Sequence, residues 1–258
     1  MAVSSFIPQI WEARLMAKFH ERAIVDLITM APTKVEGNKV IFNGVSDVAI
    51  KDYEGNVAFD DLTTSAIELN LDHKKYFAFK VDDVDAVQAA GELIDPHVAE
   101  AGYKLQEATD KYVLDAALAG GQAVAAKDGE KAYDAIVRCN TALNKKKVPK
   151  GERSIVINAE VLEELQLDER FTHHYQILEN GVIEGADING VKLIFSEELN
   201  AGAFAVVALH KSAIGYACQL KETEAMRLQD SFADGVRGLQ LDGVKVLRAD
   251  AIAKYVRA

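Results

Sequence analysis

DDVDAVQAAGELIDPHVAEAGYKLQEATDKYVLDAALAGG, residues 82–121, is the stretch whose reading decides the fold class. Beyond its opening aspartates, apolar or small residues recur at Val84, Val87, Ile94, Val98, Ala101, Leu105, Ala108 and Tyr112. Their steps of three and four, with one gap of seven, line a single face of a helix. Asp82 is placed to cap the orphan amides of the first turn, and Gly120-Gly121 to end the helix. At about 1.5 Å per residue it would run roughly 55 Å, well beyond the usual three or four turns. Gly91 and Pro96 lie inside it, and a proline removes a ladder bond and clashes with the carbonyl four residues back. The expectation is a kinked spine, bent near Asp95-Pro96, or two nearly continuous helices.

Upstream of the spine, KYFAFKV (residues 75–81) alternates Phe77, Phe79 and Val81 against Tyr76, Ala78 and Lys80, the period of a strand. Before it, Val40 and Phe42, then Ile67, Leu69 and Leu71, show the same alternation on either side of an acidic, polar excursion from Asn43 to Thr64. A two-stranded ribbon is marginal alone in water, so this one needs a partner surface. On the same subunit it would be a lid; on a neighbour, an assembly device. The first forty residues hold Ile7, Ile10, Trp11, Leu15 and Phe19, then Ala23, Ile24, Leu27 and Ile28, at helical spacing, with Pro32 as the stop and a turn at Gly37-Asn38. This amphipathic segment is either an arm or a helix packed on its own domain.

Downstream, Glu130 to Asn144 reads as an amphipathic helix through Tyr133, Ile136, Val137, Asn140 and Leu143. Its end carries Lys145, Lys146 and Lys147, then Pro149 and Lys150, cations that suit a helix C-terminus and a solvated loop. A buried strand at Ser154–Ile157 follows, then a helix with Val161, Leu162 and Leu165 capped by Asn158. Asn180-Gly181 and Asn189-Gly190 are turn signals; Val191–Phe195 and Phe204–Leu209 are strands. From Leu220 the chain is polar and extended. Gly235–Arg248 predicts two strands around Asp242-Gly243, and Ala249–Arg257 a last short helix.

The 258 residues, 49% hydrophobic and 27% charged, suffice for one large domain or two lobes with a sizeable core. No apolar run approaches the roughly 20 residues that span a bilayer, and residues 1–10 lack the basic start and apolar centre of a signal peptide, so a cytoplasmic site of synthesis and no membrane partner are expected. A net charge of -11 opposes a tight, direct grip on nucleic acid. Cys139 and Cys218 have no metal spacing and read as two buried free thiols.

Nucleotide-binding, hydrolase and zinc motifs are missing: there is no GxGxxG after a strand, no GxxxxGK[ST], no GxSxG and no HExxH. His173-His174 are adjacent and so point apart; Asp187-Ile188-Asn189-Gly190 lacks the outer acids of a calcium loop and reads as a hairpin turn. Asp82, Asp83 and Asp85 suit a helix start, and Asp60-Asp61 a solvated loop. No catalytic, cofactor-binding or metal-ligating residue is assigned, and no cofactor is expected.

The order of elements carries more than any motif. An N-terminal helix with Phe6-Ile7-Pro8-Gln9-Ile10-Trp11 is followed by the strand Gly37–Phe42, the acidic excursion, and the strand Phe77–Asp82 leading into the spine. Val148-Pro149-Lys150-Gly151-Glu152-Arg153 then enters a buried strand; Gly185–Phe195 is followed by Ser196, and Leu209-His210-Lys211-Ser212-Ala213-Ile214 precedes a Gly-Val-Lys-Val strand at Gly243. In this order the chain resembles, over essentially its whole length, the major capsid proteins of tailed bacteriophages that share the HK97 fold. The resemblance implies an α+β fold with an N-arm at 1–35, an extended E-loop hairpin at 36–73, a peripheral domain with the long spine helix at 74–124 and 219–258, and an axial domain at 125–218. It implies a non-enzymatic subunit that self-assembles into hexamers and pentamers of an icosahedral shell in the virion, assembled in the host cytoplasm. Packaged double-stranded DNA is held without sequence-specific binding, and scaffolding, portal and decoration proteins are partners in some members. Some members also cross-link a lysine to an asparagine; Lys51 is the only lysine in the excursion, its partner is not identified, and that chemistry is not carried over. An encapsulin-like nanocompartment shell is the alternative on the same fold, and a cytoplasmic α+β enzyme with the excursion as its lid is the alternative outside it.

Overall fold

The computed structural model describes residues 24–32, 34–36, 39–45, 50, 52, 64–82, 94–127, 129–168, 176–177, 182–199, 204–228 and 233–257. In chain order the elements are α1 (Val25–Ile28), β1 (Lys34–Glu36), β2 (Lys39–Val45), β3 (Thr64–Asn70), β4 (His73–Asp82), α2 (Ile94–Gly120), β5 (Gln122–Ala123), α3 (Ala132–Lys145), β6 (Arg153–Ile157), α4 (Ala159–Gln166), β7 (Gln176–Ile177), β8 (Val182–Ile188), β9 (Val191–Phe195), β10 (Phe204–His210), β11 (Ile214–Arg227), β12 (Ala233–Val246) and β13 (Ile252–Arg257), with 3-10 turns at 211–213 and 249–251. Among the described residues the strands form three sheets: β1-β2-β3, β5-β13-β10-β6-β9-β8-β7, and β11-β12-β4.

The seven-stranded sheet holds the main core. Every residue of β6 and β10 is buried, because both faces are covered and alternate side chains go to opposite layers. Ile155, Ile157, Val206 and Ala208 pack with Ile136, Cys139 and Leu143 of α3 and Val161 and Leu165 of α4. Val156, Ala205, Val207 and Leu209 face Ile24, Val25 and Ile28 at α1 and Val113, Leu114 and Ala117 of α2. Asn158 caps α4 as its sequence position implies, accepting from the Val161 amide at 3.4 Å. The Asn189-Gly190 turn joins β8 to β9 with positive φ at both residues, 57° and 75°.

The spine, α2, has 27 residues and is about 40 Å long. Asp82 is the last residue of β4; the residues it is expected to cap, with Asp83, Val84, Asp85, Val87 and Gly91, lie outside the described residues. α2 runs unbroken from Ile94 through Pro96, and the stretch before Ile94, against which the expected bend would show, lies outside the described residues. The buried face holds Leu105, Thr109, Val113, Leu114 and Ala117, so the stripe is rotated from the expected one, and Ala101, Ala108 and Tyr112 are only half-buried. Gly120-Gly121 does end the helix, for a packing reason: a Cβ on Gly120 would come within 2.8 Å of Val246, and one on Gly121 within 2.8 Å of Ile252. The Lys254 ammonium donates to the orphan Leu118 carbonyl at 2.5 Å, a cation at the negative end of the helix.

Three further expectations are corrected. Residues 235–248 are not two strands around Asp242-Gly243: they lie mostly within the single strand β12, paired with β11 from Ile214↔Val246 to Arg227↔Asp234 and with β4 from Asp242↔His73 to Ala233↔Asp82. Residues 249–257 are a 3-10 turn and then β13, not a helix, because β10 offers an open edge to pair with, from Phe204↔Arg257 to Leu209↔Ile252. Cys139 is buried, but Cys218 is exposed near the root of the long hairpin; both are free.

Candidate functional site

The ribbon seen in sequence is rooted in its own subunit. β2 and β3 pair from Lys39↔Asn70 to Val45↔Thr64, and their inner residues Val40, Phe42, Leu69 and Leu71 bury against Ala217 of β11 and Leu241 of β12. Glycines on the long sheet make the close approach possible. A Cβ on Gly215 would meet the Phe42 ring at 2.5 Å, and one on Gly243 would overlap the Asn70 carbonyl and Leu69. Replacing Gly243 with alanine is therefore expected to cost about 1–3 kcal/mol, as overpacking usually does. Urea unfolding of the unassembled subunit is the measurement, and an unchanged midpoint would contradict the docking.

Behind the root lies a buried polar joint. His73 Nδ1 and Asp242 Oδ1 are 2.6 Å apart, and the Asp242 side chain is wholly buried. Gln240 Nε2 donates to Thr109 Oγ1 at 2.9 Å and to Asp242 Oδ2 at 3.3 Å; the Thr109 hydroxyl donates to the Leu105 carbonyl at 2.9 Å. The His73 ring stacks on Tyr112 at 4.0 Å between centroids. The joint ties the first residue of β4, the middle of α2 and β12 together. Sequence reading missed it: Gln240 and Asp242 alternate with Leu239 and Leu241 as a half-exposed strand would, and their partners are more than a hundred residues away in the chain.

Beyond the root, apolar side chains face outward. Ile50, on the excursion, is 99% exposed, and Tyr76, on β4, is 79% exposed. Lys74, Lys75 and Lys80 are also exposed on β4. At the far end of the long sheet, Phe79, Val236, Met226 and Leu228 line a shallow groove with Lys80 and Arg237 at its rim. Among the described residues it is an apolar surface without convergent hydrogen-bonding groups, which fits contact with another surface better than chemistry on a small substrate.

The lysine-rich loop is solvated, as expected, and it is also anchored from below. Lys145, Lys146, Lys147 and Lys150 are exposed, and Lys146 pairs with Asp250 at 2.8 Å. Beneath them Arg153 is buried; its guanidinium donates to Asn140 Oδ1 at 2.5 Å, Asn144 Oδ1 and the Pro149 carbonyl at 2.8 Å, and the Val148 carbonyl. At the other end of the same layer, Glu130 accepts from Arg138 at 2.6 Å and from the Tyr255 hydroxyl at 3.3 Å, while Arg257 donates to the Glu130 carbonyl at 2.7 Å and to Glu164 at 2.8 Å. These networks fix loops and β13.

Asp60, Asp61, His173, His174 and Lys51 lie outside the described residues, as does Asn180-Gly181, and Asn189-Gly190 is a plain turn. Among the described residues no group of three or more His, Cys, Asp or Glu side chains is arranged to hold a metal ion. No helix among them is long and apolar enough to cross a membrane.

No protein-family model matches the sequence, and no curated protein matches it. Solved structures do. A chain from Mycobacterium phage Che8 is 30% identical, with 85% of each chain covered and a TM-score of 0.68. The capsid of Cyanophage P-SCSP1u is 15% identical, covering 92% of this chain and 88% of that one at a TM-score of 0.66. A virus-like particle from Pyrococcus furiosus is 12% identical, covering 97% and 100% at a TM-score of 0.66. The last two carry the fold alone.

Proposed function

We propose that this chain, which belongs to the major capsid proteins of bacteriophages, works by assembly alone: copies join as hexamers and pentamers that close into an icosahedral head around double-stranded DNA. The observation that carries this reading is the ribbon. Its root is built into the subunit's own core, yet Ile50 beyond the root has no cover, an arrangement that gains from a neighbour and gains nothing from a monomer. Heterologous contacts around a ring need such elements that reach past their own core.

Within this reading residues 1–35 are the N-arm and 36–73 the E-loop. Residues 74–124 with 219–258 form the peripheral domain around the spine, and 125–218 the axial domain; β13, hydrogen-bonded to β10, completes the axial sheet from the peripheral segment. The chain performs no reaction and takes no cofactor. Scaffolding, portal and decoration proteins are further partners, and the net charge of -11 suits a container that does not grip phosphate. The subunit is made in the host cytoplasm and ends in the virion.

Residues 44–62 are expected to lie on an adjacent subunit. Hydrogen exchange should show them slowed at least tenfold in shells relative to isolated subunits, as burial of exposed amides does. Equal exchange in the two states would overturn that placement, and absence of megadalton particles in light scattering would overturn the shell itself. The match over nearly the full length of the Pyrococcus particle favours one second reading, a shell of the encapsulin type. Purified particles carrying protein cargo in place of genome-length DNA would select it.

A further inference from the structure

α1 is a single turn, yet it is firmly seated: Ile24, Val25 and Ile28 are buried against Val113, Leu114 and Ala117 of the spine. Thr29 closes it twice on the Val25 carbonyl, with its amide at 2.8 Å and its hydroxyl at 2.7 Å. The next residue, Met30, bridges to β11 through its amide on the Ile214 carbonyl at 2.8 Å. Residues 1–23 lead directly into this segment, so it is where the arm is fastened.

The fastening includes one unusual group. Asp110 of the spine is only 5% exposed, and its carboxylate accepts from the backbone amides of Ile24 and Val25 and from the Gln106 side chain. Its other oxygen, Oδ1, is buried with no hydrogen-bond partner among the described residues. Among the described residues no cation compensates it. The charge that acts on it is Glu198, in the turn after β9, which is also negative. On the spine, Lys104 is engaged by Glu107 at 2.8 Å and Lys111 by Asp115 at 3.7 Å; on α1 the titratable group is Asp26, which is exposed. A carboxyl group in this position is comfortable neutral and poorly accommodated as an anion.

We infer that Asp110 is a proton-dependent latch for the arm: neutral, it holds residues 24–28 on the spine, and ionised, it lets them open more readily. Burial pushes its pKa from the ordinary 3.8 up to about 7. The folded value is the higher one, so the stabilisation is full below the open-state value and is lost as pH rises through about 7. The inference concerns a contact within one subunit and does not depend on the shell reading.

Hydrogen exchange of the full-length protein tests it, reading the amides of residues 25–30 after correction for intrinsic rates. Their protection is expected to fall about tenfold from pH 6 to pH 8.5, the ratio that the two pKa values set. In Asp110→Asn the slope should vanish, and protection at pH 8.5 should equal or exceed that of the wild type at pH 6. The amides of α3 serve as the internal control. A wild-type protection constant within twofold between the two pH values, or a fall equal to that of α3, would overturn the latch whether or not the variant folds. The same tenfold fall in Asp110→Asn would overturn it too.

Discussion

Replacing Ile50 with aspartate is expected to abolish shell formation while leaving the subunit folded. At 99% exposure the side chain contributes almost nothing to the subunit's own stability, so a charge there should leave its melting and circular dichroism unchanged. Assembly is another matter. An apolar side chain fully desolvated at the centre of an interface is typically worth about 2 kcal/mol or more, and a buried unpaired carboxylate adds a penalty of its own. Because every subunit repeats the contact, the loss multiplies around each ring. Light scattering should find the megadalton particles of the wild type replaced by free subunits or capsomers, with Ile50→Val restoring them. A normal yield of particles from the aspartate variant would contradict the assigned interface.

The second large effect falls on the fold itself. Arg153→Ala is expected to destabilise the unassembled subunit by about 1–3 kcal/mol, the usual cost of leaving a buried acceptor unsatisfied. The buried acceptor is Asn140 Oδ1; Asn144 Oδ1 and the carbonyls of Val148 and Pro149 lie nearer the surface, where water can take over. Lysine at 153 keeps the charge but offers its donors from one nitrogen, so it should recover only part of the loss. Denaturant unfolding gives the energy, and trypsin cleavage at Lys145–Lys150 should accelerate as the loop loses its anchor. A loss below about 1 kcal/mol would mean that water replaces the guanidinium at little cost.

What the sequence disclosed follows the range of the forces involved. Alternation and helical spacing are local, so the ribbon strands, β4, α3, α4 and the two buried strands were legible from residues such as Phe77 and Phe79 or Val161 and Leu165. The failures lie where distant parts of the chain overrule local preference. Asp242-Gly243 has the composition of a turn, yet it continues a strand because His73 and Gln240 satisfy the aspartate and the ribbon backbone needs the space over the glycine. Ala249–Arg257 has the composition of a helix, yet it pairs with β10. The proposed interface was legible only as a need: the excursion has more polar length than apolar surface, and spacing along one chain does not name the residues that would answer it.

The seven-stranded sheet bears on how the protein is made. β13 sits inside it, between β5 and β10, and Arg257 ties it to Glu130 and Glu164. While the ribosome is still adding residues before 257, the β10 edge stays bare and the layer around Tyr255 stays open. A growing or prematurely released polypeptide is thus left with an incomplete sheet, and translation must pass residue 257 before a subunit competent to join its neighbours exists.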